Sequence, residues 1–176
     1  MKLLSLNIAN LLSKLSSLKI LIDNIFNESN MPSIIALTET HLSDSRRQGF
    51  SVNELMNLIP GYKFYHEDRK TRRGGGIGIF VSEELNRDAV IEKDIDFFSE
   101  EVFESITLKI PKLTIKGVNK DLIVLTVYRQ PGHEKLREFL ELLEKWLEKY
   151  DKGSNEKIIT GDLNLDLLKF ETHHLT

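Results

Sequence analysis

Short apolar runs interleaved with two helical patterns are the feature that most constrains the fold of this 176-residue chain. The runs lie at 3–8, 34–37, 62–66, 77–81, 102–110, 121–128 and 158–162, and their length and β-branched content predict strands. Apolar residues at helical spacing predict one helix after Ser13 and a long amphipathic helix over 136–150. Ser51 and Glu54 have the spacing of a capping box and predict a further short helix. Strands interleaved with helices predict an α/β domain with a hairpin-rich middle.

The composition excludes several kinds of site. The chain has no cysteine, so disulfides, thiolate catalysis and zinc–thiolate sites are excluded, and we expect a reducing, intracellular location. The apolar start is interrupted by Asn7, Asn10 and Lys14, which is untypical of a signal peptide. No apolar stretch approaches the length of a membrane span, so we expect no membrane partner.

Polar residues end four of the predicted strands. Asn7 ends the first, Glu39 follows the second, Tyr128 ends a later one, and the last runs into Asp162 and Asn164. The carboxyl ends of parallel strands meet at one edge of a sheet, where ligands usually bind. Carboxylate, amide and phenol oxygens favour Mg²⁺ or Mn²⁺ over zinc, and such ions serve phosphoester chemistry. The pattern therefore predicts a hard-metal site.

The stretch IITGDLNLDLL at 158–168 carries the densest part of this pattern. If the strand continues, strict alternation puts Asp162, Asn164 and Asp166 on one face and the leucines between them on the other. A turn or helix cap is the alternative interpretation of an Asp-x-Asn at a strand end. An EF-hand loop is excluded, because Leu167 and His173 stand where that loop needs Gly and Glu.

A basic run precedes three glycines in the middle of the chain. Arg69, Lys70, Arg72 and Arg73 lead directly into Gly74–Gly76, although the net charge of the whole chain is −3. These side chains are candidates for contacts with DNA phosphates, each adding roughly −0.9 to the log–log salt slope of binding. A solvated hairpin tip explains the run equally well.

Six sequence blocks, in order, resemble one known superfamily. They are SLNIANL (5–11), IIALTETHL (34–42), IPGYKFYHEDR (59–69), RRGGGIGIFV (72–81), VYRQPG (127–132) and ITGDLNLDLL (159–168). Together they resemble the endonuclease/exonuclease/phosphatase superfamily. Within it, the chain is most similar to the apurinic-type endonuclease domain of non-LTR (LINE-like) retrotransposon polyproteins.

This resemblance implies a DNase I-like, two-sheet α/β sandwich and a Mg²⁺-dependent (or Mn²⁺-dependent) nuclease that nicks DNA. It implies that Glu39 binds the metal, with Asn7 assisting, and that Tyr128 donates a hydrogen bond to the scissile phosphate. Asp162 would orient or activate the attacking water, and Asn164 would hold the phosphate. We interpret the nearby Asp166 as a supporting acceptor or a cap.

The same resemblance has consequences beyond the site. Relatives of this type end in an Asp-His pair, and the chain ends at Thr176 without one. We therefore expect one domain over residues 1–176 that lacks the last strands and that segment. A linked reverse transcriptase domain and access to nuclear DNA are also implied. Two alternatives stay open, namely a phosphoesterase of the same superfamily that acts on a small or lipid phosphate, and a non-catalytic remnant.

Overall fold

A computed structural model gives the structure of residues 1–26, 30–43, 58–70, 73–86, 90–92, 99, 101–112, 119–132, 135–151 and 155–165. The strands are β1 (Leu3–Asn7), β2 (Ile34–Thr38), β3 (Tyr62–Glu67), β4 (Ile77–Ser82), β5 (Val90–Glu92), β6 (Phe103–Ile110), β7 (Leu122–Arg129) and β8 (Glu156–Asp162). The helices are α1 (Leu11–Ile25), α2 (Glu83–Asn86) and α3 (Leu136–Asp151). The predicted strands and both long helices are confirmed. The helix predicted from Ser51 lies outside the described residues.

The strands form two four-stranded sheets. The first sheet has the order β1-β2-β4-β3, with β1 and β2 parallel and the other pairs antiparallel. The second sheet has the order β5-β6-β7-β8, with β7 and β8 parallel and the other pairs antiparallel. Each sheet is therefore mixed, and each has one parallel pair joined by a long helix, because parallel neighbours need a long crossover connection.

The two sheets pack face to face, with a helix on each outer surface. The core between the sheets includes Ile34 and Ile79 from the first sheet and Leu108 and Val124 from the second. The α1 helix packs on the outer face of the first sheet, and α3 packs on the outer face of the second. The predicted two-sheet α/β sandwich with DNase I-like layers is confirmed.

Burial on both faces explains why the central strands carry apolar residues at most positions on both faces. All five residues of β2 and all eight of β7 are buried. In β2, Ile35 and Leu37 face α1, while Ile34 faces the second sheet. A strand covered on both sides therefore has a nearly continuous apolar run rather than an apolar residue at every second position.

The helices begin where the local sequence provides a cap or a buried stripe. The α1 helix starts at Leu11, two residues before the predicted start, because the Asn10 side chain accepts a hydrogen bond from the Ser13 N–H at 3.2 Å. In α3, Phe139, Trp146 and Tyr150 form the buried stripe against the second sheet. No helix in the described part of the chain is long and apolar enough to cross a membrane.

Candidate active site

Two carboxylates from different sheets meet at one amide. The Asn7 side chain, at the end of β1, donates to Glu39 Oε1 at 2.8 Å and to Asp162 Oδ2 at 3.0 Å. Asp162 is the last residue of β8 in the second sheet. The sequence pattern predicted that strand ends of one parallel sheet would build the site. That prediction was wrong in its geometry, because the groups come from the facing ends of two sheets.

Glu39 reaches this position through an unusual backbone turn. Asn7 pairs with Thr38 in the parallel register of β1 and β2, so Glu39 is the first residue beyond the strand. Glu39 has a φ of +55°, and its carbonyl accepts the Asn10 N–H at 2.8 Å. Left-handed backbone at a residue that is not glycine is uncommon, and it clusters at functional sites. The turn directs the carboxylate toward the end of the second sheet.

Tyr128 completes the set from the neighbouring strand. It pairs with Asp162 in the parallel register of β7 and β8, and its side chain is buried. Burial raises the pKa of Tyr128 to about 12, and the negative charge of Glu39 and a hydrogen bond to that carboxylate act in the same direction. The phenol is therefore a neutral hydrogen-bond donor at neutral pH.

The chain turns sharply after Asp162 rather than continuing as a strand. Asp162 Oδ1 accepts the Asn164 N–H at 3.0 Å, and Asn164 has a φ of +47°. This is the Asx turn that the alternative interpretation of the motif described. The expected alternation of acceptors on one strand face is therefore wrong for Asn164, whose side chain donates to the Arg129 carbonyl at 2.6 Å. Asp166 lies outside the described residues.

The Arg129 side chain stabilises the turn that follows Asp162. Its guanidinium donates to the carbonyl oxygens of Leu163 at 2.7 Å, Asn164 at 2.6 Å and Gly132 at 2.7 Å. Arg129 is only 2% exposed, and burial lowers its pKa while the charge of Asp162 opposes that shift. Sequence reasoning missed this residue. The only available signal was a charged residue directly after the apolar run that ends at Tyr128.

The basic segment divides into a buried arginine and exposed cations. Arg69 is 8% exposed and forms an ion pair with Glu104, which is fully buried. The Arg69 guanidinium also lies 5.7 Å from the centre of the Tyr128 ring. Lys70 and Arg73 are exposed, and Arg72 lies outside the described residues. The burial of Arg69 weighs against a contact between its guanidinium and DNA, whereas the exposure of Lys70 and Arg73 is compatible with one.

The three glycines allow the loop to close over Arg69. Gly74, Gly75 and Gly76 all have positive φ, at +73°, +65° and +88°. A Cβ on Gly75 would overlap the Arg69 guanidinium. The backbone of the loop then bonds to the Glu39 turn, because Gly76 O accepts the Thr40 N–H at 3.1 Å. The triple glycine therefore serves conformation and close packing.

The donor set fits a hard divalent ion. Among the described residues no group of three or more His, Cys, Asp or Glu side chains could hold a metal by itself. Mg²⁺ usually takes only one or two protein carboxylates and completes its coordination with water and substrate phosphate. Glu39, with the Asn7 amide oxygen and the nearby Asp162, supplies oxygen ligands of that kind. The Nε2 atom of His41 lies 3.6 Å from Glu39 Oε2, at the edge of the same site.

Two mixed sheets packed face to face, with helices on their outer surfaces, form the α/β sandwich of the DNase I-like fold. The sequence matches the Endonuclease/Exonuclease/phosphatase family over residues 4–176. The chain therefore belongs to this family of hydrolytic nucleases and phosphatases, whose members typically depend on a divalent metal. A search of curated proteins found no significant match.

Solved structures with the same fold come from several proteins. A humanized D. rerio TDP2 with 14 mutations is 14% identical with a TM-score of 0.61, over 99% of this chain and 66% of that one. The Xenopus laevis APE2 catalytic domain is 18% identical with a TM-score of 0.58, over 98% and 64%. The human Nocturnin catalytic domain with bound sulfate anion is 14% identical with a TM-score of 0.55, over 93% and 64%. The chain thus spans slightly less than two thirds of the length of these structures.

Proposed function

We propose that this chain carries the catalytic face of a divalent-metal-dependent phosphodiesterase that nicks DNA, of the type found in non-LTR retrotransposon polyproteins. The observation that carries the proposal is the Asn7 amide, which bridges Glu39 and Asp162 at the facing ends of two sheets. A structural polar contact would not need two carboxylates side by side, since their mutual repulsion costs free energy unless a cation or a proton offsets it.

Each side chain has a distinct task in this proposal. Glu39, assisted by Asn7, holds Mg²⁺ or Mn²⁺, and the metal when bound stabilises the charge on the phosphoryl and leaving oxygens. Asp162 accepts a hydrogen bond from the attacking water and orients it. Tyr128 donates to a phosphate oxygen, which its neutral hydroxyl is suited to do. Asn164 fixes the turn through its bond to the Arg129 carbonyl and would hold the phosphate with the second N–H of its amide.

The choice of DNA as substrate rests on the exposed cations and the resemblance. Lys70 and Arg73 are exposed on the loop that packs against the Glu39 turn. Two phosphate contacts would change the log–log salt slope of binding by roughly −1.8. Cleavage would leave a 3′-hydroxyl that a linked reverse transcriptase domain could extend, a role that needs access to nuclear DNA.

Nicking of supercoiled plasmid in Mg²⁺ or Mn²⁺ tests the proposal. Glu39→Ala and Asp162→Asn should each abolish nicking, and Glu148→Gln on the exposed face of α3 should not change it. Lys70→Ala with Arg73→Ala should weaken DNA binding and flatten its salt dependence. Absence of nicking by the unaltered chain at every metal concentration would refute the nuclease assignment.

The alternative is a phosphoesterase that acts on a small or lipid phosphate. One structure with the same fold is ANGEL2, described as a 2′,3′-cyclic phosphatase, which is 16% identical with a TM-score of 0.56. Hydrolysis of a nucleoside 2′,3′-cyclic phosphate or an inositol phosphate, lost in Glu39→Ala and without plasmid nicking, would favour that function. Loss of both activities together with no Mn²⁺ binding would favour a non-catalytic remnant.

A further inference from the structure

The candidate site depends on how the two sheets are placed relative to each other. Asn7 and Glu39 come from the first sheet, whereas Tyr128 and Asp162 come from the second. The apolar contacts in the core between the sheets are not directional, so by themselves they allow one sheet to slide slightly against the other. A directional contact between the sheets near the site would therefore decide the distances among the four groups.

Glu104 makes such a contact. It lies in β6 of the second sheet, directly opposite Tyr128 in the antiparallel register, and it is fully buried. Its carboxylate accepts hydrogen bonds from the Arg69 Nε–H and from the Gly76 backbone N–H. Both donors belong to the segment that joins β3 to β4 in the first sheet. One buried carboxylate thus ties the two sheets together.

One branch of this contact leads to Glu39. The Gly76 carbonyl accepts the Thr40 N–H at 3.1 Å, and the Gly75 carbonyl accepts the His41 N–H at 2.9 Å. Thr40 and His41 directly follow Glu39 and carry the turn that directs its carboxylate. The position of the glycine loop, which Glu104 fixes through the Gly76 N–H, therefore fixes the Glu39 turn.

The second branch leads to Tyr128. The Arg69 guanidinium that Glu104 holds lies 5.7 Å from the centre of the Tyr128 ring. A cation against an aromatic ring is attracted to it, more strongly where water is excluded. The Tyr128 hydroxyl in turn bonds to Glu39. Both series of contacts that start at Glu104 thus end at the Glu39 carboxylate. One passes through the glycine loop of the first sheet, and the other passes through Tyr128 of the second.

We infer that Glu104, acting with Arg69, is a positioning residue that sets the separation of Glu39 and Tyr128 across the two sheets. The inference rests on the proposed phosphodiesterase function of this site. A buried ion pair is a weak source of stability, since an apolar pair of similar volume is often equally stable. The Arg69–Glu104 pair therefore serves to orient Glu39 and Tyr128 rather than to stabilise the fold.

The Glu104→Gln variant keeps the size of the side chain and an acceptor for Gly76, but it loses the charge that holds Arg69. We expect kcat for plasmid nicking to fall about tenfold to a hundredfold with little change in KM, as a small misplacement of catalytic groups does. The matched control is Thr107→Val on the opposite face of the same strand, where the hydroxyl accepts from the buried Trp146 indole at 3.1 Å. It should lower the unfolding midpoint comparably and leave kcat unchanged.

The double variant Arg69→Met with Glu104→Met separates positioning from stability. Removing both partners should restore much of the unfolding midpoint lost in Glu104→Gln, because no buried charge is left alone. It should not restore kcat, because the Gly76 N–H then has no carboxylate acceptor. Recovery of kcat together with stability would overturn the inference.

Hydrogen exchange distinguishes failure of this inference from failure of the proposed function. Even if the unaltered chain does not nick DNA, the double variant Arg69→Met with Glu104→Met, which removes the Gly76 acceptor, should speed exchange of the Thr40 and His41 amides relative to Thr107→Val. Unchanged exchange at both amides would overturn the positioning role whatever the activity. Faster exchange in a chain without nuclease activity would support the inter-sheet contact and refute only the nuclease assignment.

Discussion

Replacing Arg129 with methionine tests whether a buried guanidinium builds the turn after Asp162. The arginine donates to three backbone carbonyls at 2.6–2.7 Å and is 2% exposed. A hydrogen bond from a charged donor contributes about 1.5–3 kcal/mol, and a buried carbonyl left without a donor costs about 1–3 kcal/mol. Asn164 and Gly132 are exposed, so water can replace the donor at their carbonyls, whereas Leu163 is half-buried. Methionine also avoids the desolvation of a buried charge.

The net expectation is a loss of about 2–3 kcal/mol in the free energy of unfolding, dominated by the Leu163 carbonyl. Urea denaturation followed by circular dichroism measures it. Arg137→Met is the matched control, because Arg137 is 86% exposed and pairs with Glu141 four residues later on α3. Such a surface pair contributes only about 0.3–0.5 kcal/mol. If Arg129→Met loses no more stability than Arg137→Met, the assignment of the turn to Arg129 is wrong.

Three further predictions concern the backbone, the site tyrosine and the outer core. Gly161→Ala should cost more than about 3 kcal/mol, because a Cβ there meets the β7 backbone at a φ of +116°. Gly61→Ala, at a φ of +78° with open space, should cost only about 1–2 kcal/mol in the same denaturation experiment. The folded pKa of Tyr128, about 12, lies above the unfolded value of 10.0, so the unfolded state loses its proton first and stability falls as pH rises from 10 to 12. Tyr128 should account for about 2–3 kcal/mol of this loss, and Tyr128→Phe should remove that share; a pH profile that Tyr128→Phe leaves unchanged would contradict it. Trp146→Phe should cost about 1–2 kcal/mol by leaving the buried Thr107 hydroxyl without its indole donor, as measured by circular dichroism, and a stability equal to that of the unaltered chain would count against this bond.

The local sequence pattern was sufficient to predict the helices and strands, but it predicted only part of their boundaries correctly. The strands and α3 follow from the run and stripe of apolar residues, which depend on neighbours two to four positions away. The end of β8 did not follow, because an extended strand and an Asx turn are both compatible with Asp-Leu-Asn. What decided between them was Arg129, whose guanidinium binds the carbonyls of Leu163 and Asn164 from a strand about 35 residues earlier.

The sequence by itself determined the α/β class, the two long helices and the residue types of the candidate site. It also placed Asn7, Glu39 and Asp162 at strand ends, and the structure brings these three side chains together. Only the tertiary structure decided that they meet between two sheets, and that Arg69 turns inward to Glu104. The physical reason is the sequence separation over which the two kinds of interaction act. Periodicity records which face of an element is buried, but the partner of a buried charge is selected by the packing of segments distant in sequence, for which a single sequence carries no local signal.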